Sequence, residues 1–349
     1  MTSPPRALHL LGSAGEGGAE TYFVDLVRAL HGAGLPTSAA IRTNTGRERA
    51  LADAGVPFEV LPFSGPFDLA TRPAVARLAR GERADVAVAW MSRAARHCPK
   101  GPWRRVGRLG GYYDLKNYRG FDLLVANTEE LAGWIVGQGW PAAGVRMIPN
   151  FAEAVPGPAA SRAALDTPEG VPLLLGMGRL HSSKAHDVSL EALARLPDAF
   201  LWIAGTGPLE AELKALARDL GVEARVRFLG WRDDPWALYR AADLCLFPSR
   251  VEPLGNVVIQ AWAYGLPVVA AAAAGPAALI SDGVDGRLVP VDDPEALAQA
   301  AASLLEDGGL RAGFTEAGIG RVAAEFSRAA VVARWRGLYD ELGAGRCAA

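Results

Sequence analysis

PSRVEPLGNVVIQAWAYGLPVV, residues Pro248–Val269, holds a carboxylate, a turn, a helix start and a strand start in one run. Glu252 stands before a tight Pro-Leu-Gly turn. A helix opens at Asn256, and its first amides have no acceptor inside the helix, so they suit an anion such as phosphate. The apolar run Leu244–Phe247 precedes the stretch and Pro267–Ala270 closes it. Both read as buried strands, with the helix as the crossover between them.

The same alternation continues on either side. Leu173–Gly176, Phe200–Ala204, Val226–Leu229 and Gly286–Pro290 are further strand candidates. Helical spacing is predicted over Asp187–Leu196, Leu209–Leu220, Pro235–Ala242, Asn256–Tyr264 and Pro294–Leu305. Regular strand–helix alternation makes a parallel sheet covered on both faces, and such sheets bind ligands at the carboxyl ends of their strands. The first half alternates too. Ala7–Leu11, Ser38–Ile41, Asp85–Trp90 and Leu123–Ala126 read as strands. A glycine-rich loop, GSAGEGG, follows the first of them and leads to Tyr22, Phe23, Leu26, Val27 and Leu30 at helical spacing. Asn127–Thr128 can cap a helix starting at Glu129. Proline and glycine thicken between Pro149 and Pro172, which places a linker there. The expected divisions are residues 1–155, 165–326 and a terminal helix in 327–349, whose apolar stripe is Val331, Val332, Trp335, Leu338, Tyr339 and Leu342.

The bulk figures exclude several classes. The chain has 349 residues, 50% hydrophobic and 21% charged, with a formal net charge of −2. That is ample for two cores and supplies no global basic field for nucleic acid. Cys98, Cys245 and Cys347 are odd in number and widely spaced, which argues against a disulfide framework and a zinc site. The N-terminus lacks a secretory pattern, and the Ala-rich run Gly265–Ile280 is too weakly apolar to span a bilayer.

Three more features join the opening stretch. Gly178-Arg179-Leu180 ends a strand, and Lys184 follows Arg179 by five residues. Two cations at the carboxyl edge of a parallel sheet suit a diphosphate. Gly205-Thr206-Gly207-Pro208 directly follows a strand and lets a ligand approach the backbone. Phe228-Leu229-Gly230-Trp231 leads into a loop able to flank a nucleobase.

The set GRL…K, G-x-G-P, FLGW, FPSR-x-EPLG and AxxxGLPVV resembles the retaining family-4 glycosyltransferases of the GT-B fold. GGAE (Gly17–Glu20) and MIPNF (Met147–Phe151) resemble that family's phosphate- and acceptor-facing loop and its hinge entry. The resemblance implies an α/β molecule of two Rossmann-like, doubly wound parallel-sheet domains facing across a cleft. The N-terminal one would bind the acceptor and the C-terminal one the nucleotide sugar, with the last helix crossing back. It implies that Arg179 and Lys184 neutralise the donor diphosphate and that Glu252 binds a hydroxyl of the transferred sugar. Backbone amides at Leu254, Gly255 and Asn256 would hold the phosphates, with Gly17 and Gly18 assisting. Gly205, Trp231 and Arg232 complete the donor set, and position 260 would meet the ribose.

Two departures stand out. The family has a second glutamate eight residues after the first, where this chain has Gln260; glutamine accepts a hydrogen bond without charge assistance. Some relatives carry a histidine after the strand near Val106–Leu109, where this chain has Gly110-Gly111-Tyr112-Tyr113, so no catalytic histidine is named. His97, His181 and His186 read as solvated or locally capped. Glu252 beside Arg250 also reads as a simple surface ion pair. With no DxD or HExxH pattern, metal-independent chemistry is expected. A nucleotide-diphosphate sugar would be co-substrate, and no cofactor is implied.

The expected reaction is retaining transfer of a hexose-type sugar to a saccharide or lipid-linked glycan. GRLGGYYDLKNY resembles a branch acting on lipopolysaccharide core or other surface glycans. Glu20, Tyr112, Asp114 and Asn150 are acceptor-side candidates. Between Arg93 and Arg119 eight basic residues face one acid, Asp114, with Trp90, Trp103, Tyr112, Tyr113 and Tyr118 interleaved. This predicts an anionic acceptor, or peripheral contact with the anionic cytoplasmic face of the inner membrane; a solvated basic face is the simpler alternative. Rival functions are a non-catalytic sugar-nucleotide-binding partner subunit and a sugar-nucleotide epimerase on the same scaffold. A dehydrogenase would need an acid ending the second strand, and Ile41-Arg42-Thr43-Asn44 offers none.

Overall fold

The computed structural model describes residues 4–344 apart from Glu16 and Pro66. The chain divides into two units. One combines the residues up to Asn150 with those from Arg328 on, and the other is Phe151–Ser327.

The first unit runs β1 (Ala7–Leu11), α1 (Gly18–Gly32), β2 (Thr37–Ile41), α2 (Thr45–Asp53), β3 (Phe58–Val60), α3 (Thr71–Gly81), β4 (Val86–Trp90), α4 (Met91–His97), β5 (Arg104–Leu109), β6 (Leu123–Ala126), α5 (Glu129–Gly137) and β7 (Val145–Met147). The second runs β8 (Leu173–Met177), α6 (His186–Ala194), β9 (Phe200–Ala204), α7 (Glu210–Asp219), β10 (Val226–Gly230), α8 (Pro235–Ala241), β11 (Leu244–Phe247), α9 (Asn256–Ala263), β12 (Val268–Ala271), α10 (Ala274–Leu279), β13 (Arg287–Val289), α11 (Pro294–Glu306) and α12 (Gly308–Arg321). The last helix, α13 (Arg328–Ala344), belongs to the first unit.

Each unit is built on one parallel sheet. The seven-stranded sheet has the order β3-β2-β1-β4-β5-β6-β7 and the six-stranded sheet β10-β9-β8-β11-β12-β13. Both orders reverse direction at the first strand, between β1 and β4 and between β8 and β11. Loops leaving the paired strands diverge at such a point and open a crevice at the carboxyl edge. The predicted doubly wound α/β class is therefore realised in both units.

The central strands are apolar throughout because helices cover both faces: every residue of β1 and β4 is buried. α1 buries the predicted stripe of Tyr22, Phe23, Leu26, Val27 and Leu30. Thr128 caps α5, its Oγ1 accepting from the Leu131 amide at 3.0 Å. In the second unit Trp202 and Trp262 are fully buried, and both indoles find acceptors, at Thr167 Oγ1 and the Asp285 carbonyl, each at 2.8 Å.

α13 is fixed to the first unit by a polar network that the sequence reading passed over. His9, on β1, is completely buried. Its Nδ1 accepts from the Trp90 indole at 3.1 Å, so Nε2 carries the proton and meets the Tyr339 hydroxyl at 2.8 Å. Trp335 packs beside it, 6.2 Å between ring centroids. Burial pulls the His9 pKa down to about 3, which keeps the ring neutral. Cys98 and Cys245 are buried free thiols, pushed up to about 12 by desolvation, and act as packing. Cys347 lies outside the described residues.

Candidate functional site

In the second unit the loop after β8 carries Gly178, Arg179 and Lys184, and the loop after β11 carries Arg250 through Gly255. The two meet because β8 and β11 are neighbours in the sheet. The Lys184 Nζ donates to Glu252 Oε2 in a half-buried ion pair and lies 5.8 Å from the centre of the Phe247 ring. The other carboxylate oxygen, Oε1, accepts from the Gly255 amide at 3.2 Å. One carboxylate thus fixes a cation on one side and the start of α9 on the other.

Gly255 sits at φ 81° as the residue before α9, a left-handed conformation that strains any residue bearing Cβ. Its neighbour Leu254 is buried, so this turn presents backbone rather than side chain. The turn is backed by Gly275 at the start of α10, whose amide donates to the Glu252 carbonyl at 2.8 Å. A methyl group on Gly275 would lie 2.6 Å from that same oxygen. Gly205, at φ 143°, is equally confined: a Cβ there would lie 2.0 Å from the Gly178 carbonyl. The glycines after β8 and β9 therefore let the two loops touch backbone to backbone.

Arg179 is exposed and has no ion-pair partner among the described residues. Arg250 behaves differently, which removes the alternative reading of Arg250 and Glu252 as a surface pair. Its guanidinium grips Asp187 with two bonds, at 3.0 and 2.6 Å, and pairs with Asp292. Its Nη1 also donates to the Ser182 carbonyl at 2.9 Å, as its backbone amide does to Ser183. Arg250 ties the β11 loop to the loop that carries Lys184 and leaves Glu252 for the lysine. The neighbouring carboxylate and hydrogen bonds push the Arg250 pKa up, and the Asp187 pKa is lowered by its arginine despite desolvation.

His186 also departs from expectation. It is buried rather than solvated, with Nε2 3.3 Å from the Gly178 carbonyl and Nδ1 lacking a partner, and burial draws its pKa to about 4. His181 does cap locally, its Nδ1 accepting from the Ser183 amide at 3.2 Å.

Gln260 lies one turn into α9, and its Oε1 accepts from the Tyr239 hydroxyl at 3.0 Å. Tyr239 is buried and stacked on Tyr264, with centroids 5.4 Å apart. Trp231 is 64% exposed, its indole donating to Asp233 at 3.2 Å. Arg232 forms a two-point pair with Asp234, both bonds 2.7 Å. These two residues follow β10, while Lys184, Glu252 and Asn256 follow β8 and β11.

In the first unit the glycine-rich loop is organised by Arg47, whose guanidinium donates to the Ser13 carbonyl at 2.8 Å and the Gly15 carbonyl at 3.0 Å. Gly17 precedes α1 and Gly18 begins it, and the Glu20 carboxylate folds back so that a Cβ on Gly17 would lie 2.8 Å from it. Asn150 is buried and accepts from Arg108 Nη2 at 2.7 Å. Tyr112 donates to Glu130 at 2.5 Å, and Asp114 accepts from the Lys116 amide at 2.9 Å, capping the short turn Leu115–Tyr118.

The basic run from Arg93 to Arg119 does not form one continuous face. Arg105 and Arg108 are buried, Arg105 on the Gly120 carbonyl and the Phe121 ring, and Arg108 on Leu109, Asn150 and the rings of Tyr22 and Trp90. Trp90, Trp103 and Tyr118 are core residues, so the expected interleaved aromatic interface is not present. Among the described residues no helix is long and apolar enough to cross a membrane.

Comparison with known proteins bears on the family and the fold. The family model described as glycosyl transferases group 1 matches residues 159–321, and a glycosyl transferase 4-like domain matches residues 17–150. The lipopolysaccharide core biosynthesis glycosyltransferase LpsE of Rhizobium meliloti (strain 1021) is 38% identical over 320 residues, 90% of this chain and 94% of its own. LpsD of the same organism, with the same description, is 32% identical over 328 residues, 93% and 95% of the two chains. The crystal structure of Anabaena Alr3699/HepE in complex with UDP shares the fold with a TM-score of 0.80, at 22% identity, over 96% of this chain and all of that one. Two family models in chain order, relatives matched along nearly their whole length and two doubly wound sheets place this chain in the group 1, GT4-like glycosyltransferases of the GT-B fold.

Proposed function

We propose that this glycosyltransferase moves a hexose from a nucleoside-diphosphate sugar to a saccharide of lipopolysaccharide core or a related surface glycan, with retention of configuration, in the cytoplasm. The observation that carries this is the Lys184–Glu252 pair at the mouth of α9, with Arg179 unpaired on the same loop as the lysine. The descriptions of LpsE and LpsD support the acceptor class, and UDP in the HepE structure supports the donor class.

The chemistry follows from charge. The acceptor hydroxyl oxygen bonds to the anomeric carbon as the bond from that carbon to the diphosphate breaks. The bonding pair leaves with the diphosphate, and the acceptor proton passes to the departing phosphate oxygen. Arg179, Lys184 and the amides at Leu254, Gly255 and Asn256 stabilise the charge that builds there. Glu252 holds Lys184 in place and offers its carboxylate to a sugar hydroxyl. Because this chain's own cations carry the charge, metal independence is part of the proposal: turnover should survive EDTA unchanged, and loss of turnover restored by a divalent cation would remove that clause. Contact with anionic lipid would draw on Arg96, Lys100, Lys116 and Arg119, whose side chains are exposed.

A thermal-shift screen of UDP-, GDP-, ADP- and CMP-sugars, followed by turnover of the labelled donor with core oligosaccharide, tests the function. One donor class should raise the melting temperature, and label should appear in the oligosaccharide. Donor binding without transfer would instead make the chain a binding subunit. An altered sugar nucleotide formed without acceptor would make it an epimerase.

A further inference from the structure

The first unit contains a cavity of about 400 Å³ at the carboxyl edge of its sheet, by the switch point between β1 and β4. Arg42, Arg93 and Arg96 line it together with Ser13, Trp90 and Tyr113, and among the described residues none that lines it is acidic. The three guanidiniums come from two places: Arg42 follows β2, while Arg93 and Arg96 lie three residues apart on α4 and so share a helix face. None of the three has an ion-pair partner among the described residues. Arg93 donates to the Phe63 carbonyl at 3.3 Å, a neutral acceptor that leaves its charge uncompensated.

Other features hold this charge in place. Gly12, immediately after β1, has no side chain because Arg93 lies across it; a Cβ there would come within 2.9 Å of the arginine Cγ. Met91 takes a φ of 62° at the junction of β4 and α4, a conformation strained for a side-chain-bearing residue, and it sits in the cavity wall. Behind the wall Arg108 adds a fourth guanidinium. It is buried against Trp90, 5.7 Å from that ring's centre, and has no carboxylate partner among the described residues. Glu20 bears on Tyr113, whose hydroxyl is raised first by burial and then by that carboxylate. Like charges gathered around a cavity repel one another unless an anion lies among them.

We propose that this cavity binds an anionic saccharide, one bearing a phosphate or a carboxylate, and that Arg42, Arg93 and Arg96 select the acceptor by that group. Tyr113, half-buried, offers apolar ring surface beside the guanidiniums, while the carbonyls of Ser13, Ala14 and Gly15 already accept from Arg47 and Asn44 and so hold the loop that forms the wall. Calling the ligand an acceptor rests on the glycosyl-transfer reading above; that the cavity takes an anionic sugar does not.

The test is calorimetric titration of the full chain with glucose 6-phosphate, glucuronate, glucose and UDP, for the wild type and for Arg42→Gln combined with Arg96→Gln. The wild type should bind glucose 6-phosphate or glucuronate more tightly than glucose, with affinity falling as salt rises. The double variant should lose at least about tenfold in that affinity, as expected for charge-assisted bonds, with UDP affinity and melting temperature unchanged. Arg42→Lys should retain more affinity than Arg42→Gln. Preference for phosphate over carboxylate, or the reverse, identifies the group. Equal binding of glucose and its charged analogues, or loss of UDP affinity in the double variant, would overturn the proposal, the latter by assigning the arginines to the donor. Absence of UDP binding in the wild type would exclude UDP as the donor nucleotide and move the donor control to the nucleotide found by the thermal-shift screen, and the sugar titrations would still decide the cavity's preference.

Discussion

Lys184 and Arg250 are the pair of cations that best separates chemistry from scaffolding. Lys184 has a single carboxylate partner and keeps two N–H bonds to offer a ligand, whereas Arg250 spends its guanidinium on Asp187, Asp292 and the Ser182 carbonyl. Lys184→Ala should lower kcat by about 10²- to 10³-fold, the usual cost of one donor to developing charge, with little change in melting temperature. Arg250→Ala should lower the melting temperature and raise KM, because the two loops lose their tie. If steady-state kinetics show Lys184→Ala to be silent on kcat, the lysine is structural. Gln260 permits an equally direct test. With one lone pair of its Oε1 taken by Tyr239, Gln260 leaves a ligand one neutral acceptor position beside an amide nitrogen that only donates. Gln260→Glu replaces it with a charged acceptor and should tighten nucleotide binding several-fold, since charge-assisted bonds are about twice as strong as neutral ones; unchanged affinity would mean position 260 does not meet the ribose. The candidate cations and Glu252 were legible in the sequence because loop motifs at strand ends carry their chemistry openly. Their pairing was not: adjacency in the chain put Glu252 with Arg250, whereas adjacency of β8 with β11 puts it with Lys184.

Legibility also differs among the elements. Apolar strands such as β1, β6, β9 and β11 were read to the residue because burial on both faces writes an unbroken apolar run. β5, with the sequence RRVGRL, carries three arginines that obscure its start, so that only the part near Val106–Leu109 reads as strand; the whole of it is a strand, with Arg105 and Arg108 buried because carbonyls and aromatic rings satisfy them. β3 and β7 span three residues each, too few for a period to show. His9 is the other silent feature, since a lone histidine in an apolar strand does not announce that it joins β1, β4 and α13. It also sets a pH response. The folded chain keeps His9 neutral down to about 3, while the unfolded chain takes up a proton near 6.5. The stability His9 contributes is therefore complete above pH 6.5 and drains as pH falls toward 3, by at most about 1.4 kcal/mol per unit. His186, held down to about 4 in the second unit, acts in the same direction. Denaturant melts at pH 8 and pH 5.5 should show the loss. His9→Leu should be less stable at pH 8 by about 1–3 kcal/mol, because the Trp90 and Tyr339 groups lose their partner, yet it should decline less between the two values. An identical decline in both proteins would show that His9 does not carry the acid response.

At the scale of the whole molecule, the first unit is discontinuous in sequence and the second is not. Phe151–Ser327 holds its own sheet, its own buried tryptophans and the Lys184–Glu252 turn, with no strand borrowed from outside that range. The first sheet is complete by Met147, but its core is not. Val331, Val332, Trp335, Leu338 and Tyr339 of α13 are buried in the same unit, and Tyr339 is the hydroxyl partner of His9. At roughly 1.5–3 kcal/mol for each large apolar side chain buried, these residues contribute on the order of 10 kcal/mol before ordering costs, comparable with the whole stability of a domain. A fragment of residues 151–327 should therefore unfold cooperatively and bind the donor nucleotide. A fragment of residues 1–150 should be aggregation-prone or partly folded, with Phe23, Trp90 and His9 left uncovered. Joining residues 328–344 ahead of residue 4 through a flexible linker should restore a cooperative transition to that second fragment. Circular dichroism melts of the three polypeptides decide the matter. A fully cooperative 1–150 fragment would show that α13 is an accessory to the first core rather than part of it.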